Sequence, residues 1–434
     1  MATAPASSSF PAAAEPPFSR AVPALIVLAL SCTLGFTMMG SFATVQEAAK
    51  RELGLSDYAL SLITGVSAAI PLLLLSIPIG IAVDRFNRVR ILIGLSVIWT
   101  LGTLLTALGT SVGILFVARM MTAIGMAGAL TAALSIAADL CAPERRGGAN
   151  LIMNLGKIVG QAAGFALAGG LFAFFVAPGA PDWFGSMTGW RSTHVVLAIA
   201  SALLILPLLL LREPARREIE AGPRASLRTV GHELWSRRAF LAPLFAGQMS
   251  VVMADAAAGI WAAPVLTRSF DVQPGAFAAW MGALMLVAGL VGSVVGGLGA
   301  DAGYKAKRRG GLLLGAVIAA AIGIPAALFP IAPTLPLFAL ALGVLAAAGA
   351  VTGLVMAVAL TVYLPNELRG LTIGAFIALA GLVGFGIAPT LVAFASDMMG
   401  GEQHLPTALA LVGVITSAIG FIGFLRAMRQ LPVR

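Results

Sequence analysis

The sequence predicts an all-α integral membrane protein whose twelve transmembrane helices form two pseudo-symmetric six-helix bundles. Three observations carry that prediction. The 434 residues are 59% hydrophobic and only 10% charged, with a mean hydropathy of +0.99. Twelve apolar stretches are each long enough to cross about 30 Å of hydrocarbon. The two halves also carry matching motifs in corresponding loops. A soluble protein needs roughly 25% charged residues to face water, so a soluble enzyme is excluded. A β-barrel would need short alternating strands, and these runs are continuous.

Residues 1–19 are rich in Ala, Pro and Ser, with one acid and no base. A signal peptide needs a basic start, so this stretch reads as a disordered cytoplasmic tail. The spans follow at 21–45, 58–83, 91–109, 112–140, 148–176, 191–211, 239–266, 274–300, 310–329, 334–363, 370–396 and 405–426. They group into an N-terminal bundle at 20–211, a cytoplasmic linker at 212–238, a C-terminal bundle at 239–428 and a tail at 429–434. The linker mixes acids, bases and two prolines, the composition of a solvated connection. With both termini in the cytoplasm, 21 Lys and Arg fall on cytoplasmic segments and 4 (Lys50, Arg51, Arg191 and Arg268) on external ones. That asymmetry satisfies the positive-inside rule and reads the net charge of +9 as topology rather than nucleic-acid binding. Cys32 and Cys141 fall in different spans near opposite faces, so neither a disulfide nor a metal cluster is expected.

An internal repeat supports two halves. Gly80-Ile-Ala-Val-Asp84 closes span 2 and Gly297-Leu-Gly-Ala-Asp301 closes span 8, their aspartates 217 residues apart. Pro143-Glu-Arg-Arg146-Gly147 follows span 4, and Pro365-Asn-Glu-Leu-Arg369-Gly370 follows span 10. Twelve spans in two similar halves are the layout of a secondary transporter, with its site near the midplane between them. Gly156, Gly160, Gly164, Gly169 and Gly170 form a ladder in span 5 that suits close helix packing.

The stretch Gly80-x-x-x-Asp84-Arg85-Phe-Asn87-Arg88-Val-Arg90 resembles the loop 2–3 signature of the major facilitator superfamily. Arg119-x-x-x-Ala123-x-Gly125-x-Ala127-Gly128 in span 4 is similar to that superfamily's arginine motif, and Gly189-Trp190-Arg191 leads into span 6 as its members do. The resemblance covers essentially the whole chain. It implies alternating access, with Gly80, Asp84, Arg85, Arg88 and Asp301 in conformational gating. Gly80 allows close helix approach, and Asp84 can pair with bases or cap a helix. Asn87 replaces the usual glycine and tolerates a left-handed turn. Arg119, Gly384-Phe-Gly386, Pro389 and Ser396-Asp397 look most like the spinster-like lipid and organic-anion transporters. Met126 stands where that group usually has an acid, and Thr131 where it often has proline, so the acid's coupling role does not carry over.

In the superfamily, spans 1, 4, 7 and 10 line the central cavity. There the resemblance places Thr37, Arg119, Met126, Gln248, Asp255 and Trp261 as substrate-facing residues. Few amides and aromatic platforms are on offer, which disfavours sugars, while flexible methionines suit amphipathic ligands. Asp255 lies about 24 Å along span 7 at 1.5 Å per residue. An intramembrane charge must face a cavity or find a partner. Asp255 is therefore the proton-coupling candidate, and Arg119 either binds an anionic head group or neutralises the deprotonated acid. Lys157 reads as snorkelling to headgroups, Asp139 as a partner for loop arginines, and His194 and His404 as solvated groups near external span ends.

The function expected is secondary transport of a small amphipathic or organic-anion, lipid-like solute by alternating access, coupled to protons. The alternatives are a drug–proton antiporter, against which span 5 lacks the usual Gly-Pro pair, and a non-transporting membrane receptor or scaffold on the same fold. No nucleotide-binding loop, HExxH or GxSxG motif occurs, so no enzyme activity, cofactor or metal is expected. The expected setting is the inner (plasma) membrane as a lipid-embedded monomer that meets small-molecule substrate and protons, with no nucleic-acid partner.

Overall fold

A computed structural model describes residues 18–141, 145–216, 235–306, 310–363, 372, 376 and 378–431. Among the described residues, twelve helices are long and apolar enough to cross a membrane. They are α1 (Ala21–Leu53), α2 (Asp57–Arg85), α3 (Arg88–Leu108), α4 (Val112–Leu140), α5 (Gly148–Val176) and α6 (Gly189–Leu209), then α7 (Arg238–Ser269), α8 (Pro274–Lys305), α9 (Gly311–Ile331), α10 (Leu335–Tyr363), α11 (Ala378–Met398) and α12 (Glu402–Gln430). An even number of crossings puts the start of α1 and the end of α12 on one face, here the terminal face; the opposite one is the far face. The expected tail up to residue 17 and most of the 212–238 linker lie outside the described residues. So do 142–144 and 364–371, which hold most of the second repeat.

Local chemistry sets the helix ends. Ser56, Asn87 and Ser111 each stand just before a helix and accept a backbone N–H three residues on, from Ala59, Arg90 and Ile114, which satisfies one orphan donor of the first turn. Asn87 is extended, at φ −64° and ψ 113°. It therefore serves as a cap and not in the left-handed turn its residue type allows. Pro274 opens α8, where its missing N–H costs nothing. Wide π turns interrupt α2 at Leu62–Val66 and α11 at Leu382–Ile387.

Each half packs around small residues, because lipid offers helices no hydrophobic drive to associate. Three rungs of the α5 ladder lie on α1: a Cβ on Gly156 would stand 2.7 Å from the Ala29 carbonyl oxygen, and one on Gly164 3.1 Å from that of Thr37, while Gly169 faces α8 and Gly170 open space. Thr33 and Thr37 reinforce the seam by donating to the Gly156 and Gly160 carbonyls at 3.1 and 3.2 Å. Among the described residues, two seams built on glycines join the halves. α5 runs along α8, with a Cβ on Gly282 falling 2.6 Å from the Ala162 carbonyl oxygen. Across the molecule the π turns of α2 and α11 pack together, Gly65 lying directly against the Phe385 carbonyl. Pro389 has no N–H with which to engage that carbonyl from the next turn.

Candidate functional site

Arg119 lies two turns into α4 and is 2% exposed. Its Nη1 donates to the Met38 carbonyl at 3.2 Å and its Nη2 to the Met39 carbonyl. The guanidinium carbon stands 5.5 Å from the centre of the Phe42 ring. Nε has no hydrogen-bond partner. Among the described residues no carboxylate pairs with Arg119, so a full positive charge is held in the membrane interior by carbonyl dipoles and a π face.

The opposite charge sits in the other half. Asp255 of α7 presses its carboxylate into the place where a Cβ on Gly349 of α10 would be, and its Oδ1 has no hydrogen-bond partner. Gln248, two turns earlier on the same face of α7, is buried. Its Nε2 faces Gly353, one turn along α10 from Gly349, and its Oε1 is unpartnered. Met39 and Asp255 stand at the same distance before the ends of α1 and α7. The two halves therefore hold opposite charges at matching depth, Arg119 of α4 against α1 and Asp255 of α7 against α10, without bringing them into an ion pair.

The other cavity candidates are packed inside the bundles. Thr37 spends its hydroxyl on the Thr33 and Gly160 carbonyls. Trp261 is fully buried and its indole N–H donates to the Pro389 carbonyl at 3.1 Å. Met126 is buried against Gly35, where a Cβ would stand 3.4 Å from it. In this conformation these three build helix contacts. Lys157 is half-buried, its ammonium 5.8 Å from the Phe36 ring centre on α1, so it faces a neighbouring helix where the sequence suggested headgroups. His194 differs most from expectation. It is completely buried, because α6 turns it inward onto Ser41 and Phe42 of α1.

Charges close the far face between the halves. Arg268 at the end of α7 reaches Glu47 at 2.5 Å and Asp57 at 2.6 Å. Lys50 bonds Asp57 at 2.6 Å and also pairs with Glu402, whose carboxylate accepts the Asp57 N–H at 2.8 Å. Just beneath, Gln46 of α1 donates to the Ile260 carbonyl of α7 at 2.6 Å. Pro264 explains the vacancy at that carbonyl, since a proline four residues on cannot supply the helical N–H. Of this closure, only Pro264 inside an apolar run is a signal that sequence alone offers.

Comparison with known proteins fits this geometry. The family model described as Major Facilitator Superfamily matches residues 25–389. The chain belongs to the Major Facilitator Superfamily. A bacterial homolog of the human lysosomal transporter Spinster, crystallised inward-facing and unoccupied, superposes with a TM-score of 0.77 at 25% identity, over 95% of this chain and 97% of that one. A probable sulfoacetate transporter of Cupriavidus necator is 28% identical over 71% of each chain. An MFS-type efflux pump of Mycolicibacterium smegmatis is 29% identical over 49% of this chain and 46% of its own length, so the chain spans about half of that relative.

The superfamily's loop 2–3 residues occupy the terminal face. Arg88 is buried, pairs with Asp139 and reaches Glu213 from Nε at 2.7 Å. It thus clamps the start of α3 to the end of α4 and to the segment after α6. Asp84, Arg85 and Asp301 are exposed. Arg216 binds the Asp84 carbonyl rather than its carboxylate, and among the described residues that carboxylate has no partner. A Cβ on Gly80 would meet nothing within 4 Å, so the close helix approach expected there is absent from this conformation. At the far face, Glu52 accepts from Thr188 at 2.5 Å, the Trp190 indole at 2.5 Å and Arg191 at 2.7 Å. The Gly-Trp-Arg motif therefore fastens α6 to α1.

Proposed function

We propose that this superfamily transporter moves small organic anions by alternating access, with Arg119 receiving the anionic group and Asp255 carrying a coupled proton. The observation that carries the reading is the separation of the two charges. A buried cation with no counter-ion is a standing site for an anion, because pairing repays desolvation already spent. A buried carboxylate with an unpartnered oxygen is best accommodated when protonated. Since the two belong to different halves, relative motion of the halves can change their separation and link anion loading at one to the proton held at the other. The similarity to a probable sulfoacetate transporter supports an anionic solute.

The similarity to an efflux pump favours a second reading, proton-driven export of cationic drugs with Asp255 as the cation's partner. Ligand-induced thermal stabilisation separates the two. The panel holds sulfoacetate, aromatic and fatty acids, lysolipids, sugars and cationic drugs, each at two pH values. Stabilisation by anions that is lost in Arg119→Ala supports the first reading. Stabilisation by cationic drugs alone, lost in Asp255→Asn, replaces it with the second.

A further inference from the structure

We propose that His194 is a second proton site, taking one proton from solution onto Nε2 when an anion settles at Arg119. This rests on the anion site proposed above and adds a titratable group in the same half as that site.

His194 is fully buried in α6. Its Nδ1 lies 2.8 Å from the Trp190 carbonyl oxygen, four residues earlier. A carbonyl only accepts, so Nδ1 carries the proton and Nε2 is left with a lone pair. Nε2 faces the Ser41 hydroxyl at 3.5 Å, but Ser41 lies closer to the Met38 carbonyl, at 3.0 Å, and donates there. Nε2 is thus a buried base with no good donor. The Met38 carbonyl also accepts from Arg119 at 3.2 Å, so Arg119 and Ser41 share one acceptor, and the Ser41 oxygen stands beside the bare Nε2 of His194. Phe42 lies beside both charge-bearing groups, its ring centre 5.5 Å from the Arg119 guanidinium carbon and 5.9 Å from that of the imidazole.

α1, α3 and α5 pack against α6. Around the imidazole α1 offers uncharged Ser41 and Phe42, and α4 presents Arg119 across Phe42. At the far end of these helices Glu52 and Arg191 are spent on each other at 2.7 Å. Lys157 of α5 stands against Phe36 instead. Arg119 is therefore the charged group that faces His194 across Phe42. While the guanidinium lacks a counter-ion, a second cation one aromatic ring away is opposed. An anion at Arg119 cancels that field and itself attracts a proton to Nε2. The balance is one anion and one solution proton taken up together, with no bond in the substrate broken.

The test is calorimetric binding of sulfoacetate and 3-phenylpropionate to the purified full-length protein, in buffers of different ionisation enthalpy, between pH 5 and 8. Binding linked to one proton weakens by up to tenfold per pH unit. The wild type should take up protons on binding and show that slope. His194→Gln should bind with a smaller proton count and a flatter profile, while His404→Gln keeps both. If His194→Gln does not fold, ¹⁵N-histidine NMR of the wild type reads the same event, because both ring nitrogens of His194 become protonated when probe is added. Binding with an unchanged proton count in His194→Gln, or with a neutral His194 resonance, overturns this inference alone. Failure of every anion to bind overturns the anion site and this inference with it.

Discussion

Gln46 of α1 donates its side-chain amide to the Ile260 carbonyl of α7 at 2.6 Å, filling the place that Pro264 leaves open in the helix. Covalent chemistry creates the vacancy in one half, and a side chain of the other half fills it. That makes the bond a marker of the conformation closed at the far face. Gln46→Leu removes it at a cost of about 1 kcal/mol, which is about fivefold in the equilibrium between closed and open forms. Thiol labelling of a cysteine placed at Ala257, buried beneath the closure, should speed up by that factor in Gln46→Leu.

The charge cluster above Gln46 should be worth more. Arg268 answers both Glu47 and Asp57, so Arg268→Gln leaves two buried carboxylates facing each other with Lys50 alone. Because the site is partly solvated, the expected loss is about 2 kcal/mol rather than the 3–5 of a fully buried pair. Thermal unfolding in detergent should show it as a lower Tm, and 1 M salt should narrow the gap from wild type.

Two glycines of the superfamily motifs should behave differently when changed to alanine. At Gly125 the added Cβ would stand 2.6 Å from the Leu95 carbonyl oxygen and 2.8 Å from Trp99. α3 or α4 would have to shift, at a cost of about 1–3 kcal/mol. At Gly80 it would meet open space. Gly80→Ala should therefore match or slightly exceed wild-type stability, since alanine favours helix. Differential scanning fluorimetry of both variants checks the contrast. A transport defect in a stable Gly80→Ala would place its role in a conformation other than this one.

Gly349 should be a coupling residue without bearing a charge. Its missing Cβ leaves the space that the Asp255 carboxylate occupies, so Gly349→Ala evicts the carboxylate while leaving the α-helix intact. In proteoliposomes this variant should accumulate less solute under a pH gradient and still exchange solute when no gradient is present.

Much of the architecture could be read from the chain. Low charge, twelve apolar runs and the Gly80–Asp84 and Gly297–Asp301 repeat led to twelve helices in two halves. Asp139, expected to pair with an arginine, meets Arg88. What escaped is what depends on rotation about a helix and on contacts across long stretches of sequence. In a chain apolar on nearly every face, periodicity does not say which side of α6 is inward, so His194 read as solvated. Lys50 and Glu402 are 352 residues apart, and nothing in their surroundings announces the partnership. Arg119 and Asp255 stand out as intramembrane charges, but residue type alone does not distinguish a pair from two separated sites.

The measurement that bears most directly on the central claim is solute accumulation in proteoliposomes under a pH gradient of one unit, with sulfoacetate and 3-phenylpropionate as solutes. Each coupled proton multiplies the accumulation ratio that such a gradient sustains by about ten. The wild type should concentrate the anion, and Asp255→Asn should hold about tenfold less at steady state while still exchanging anion when no gradient is imposed. Equal accumulation by Asp255→Asn and wild type, or no anion movement by either, would contradict the account.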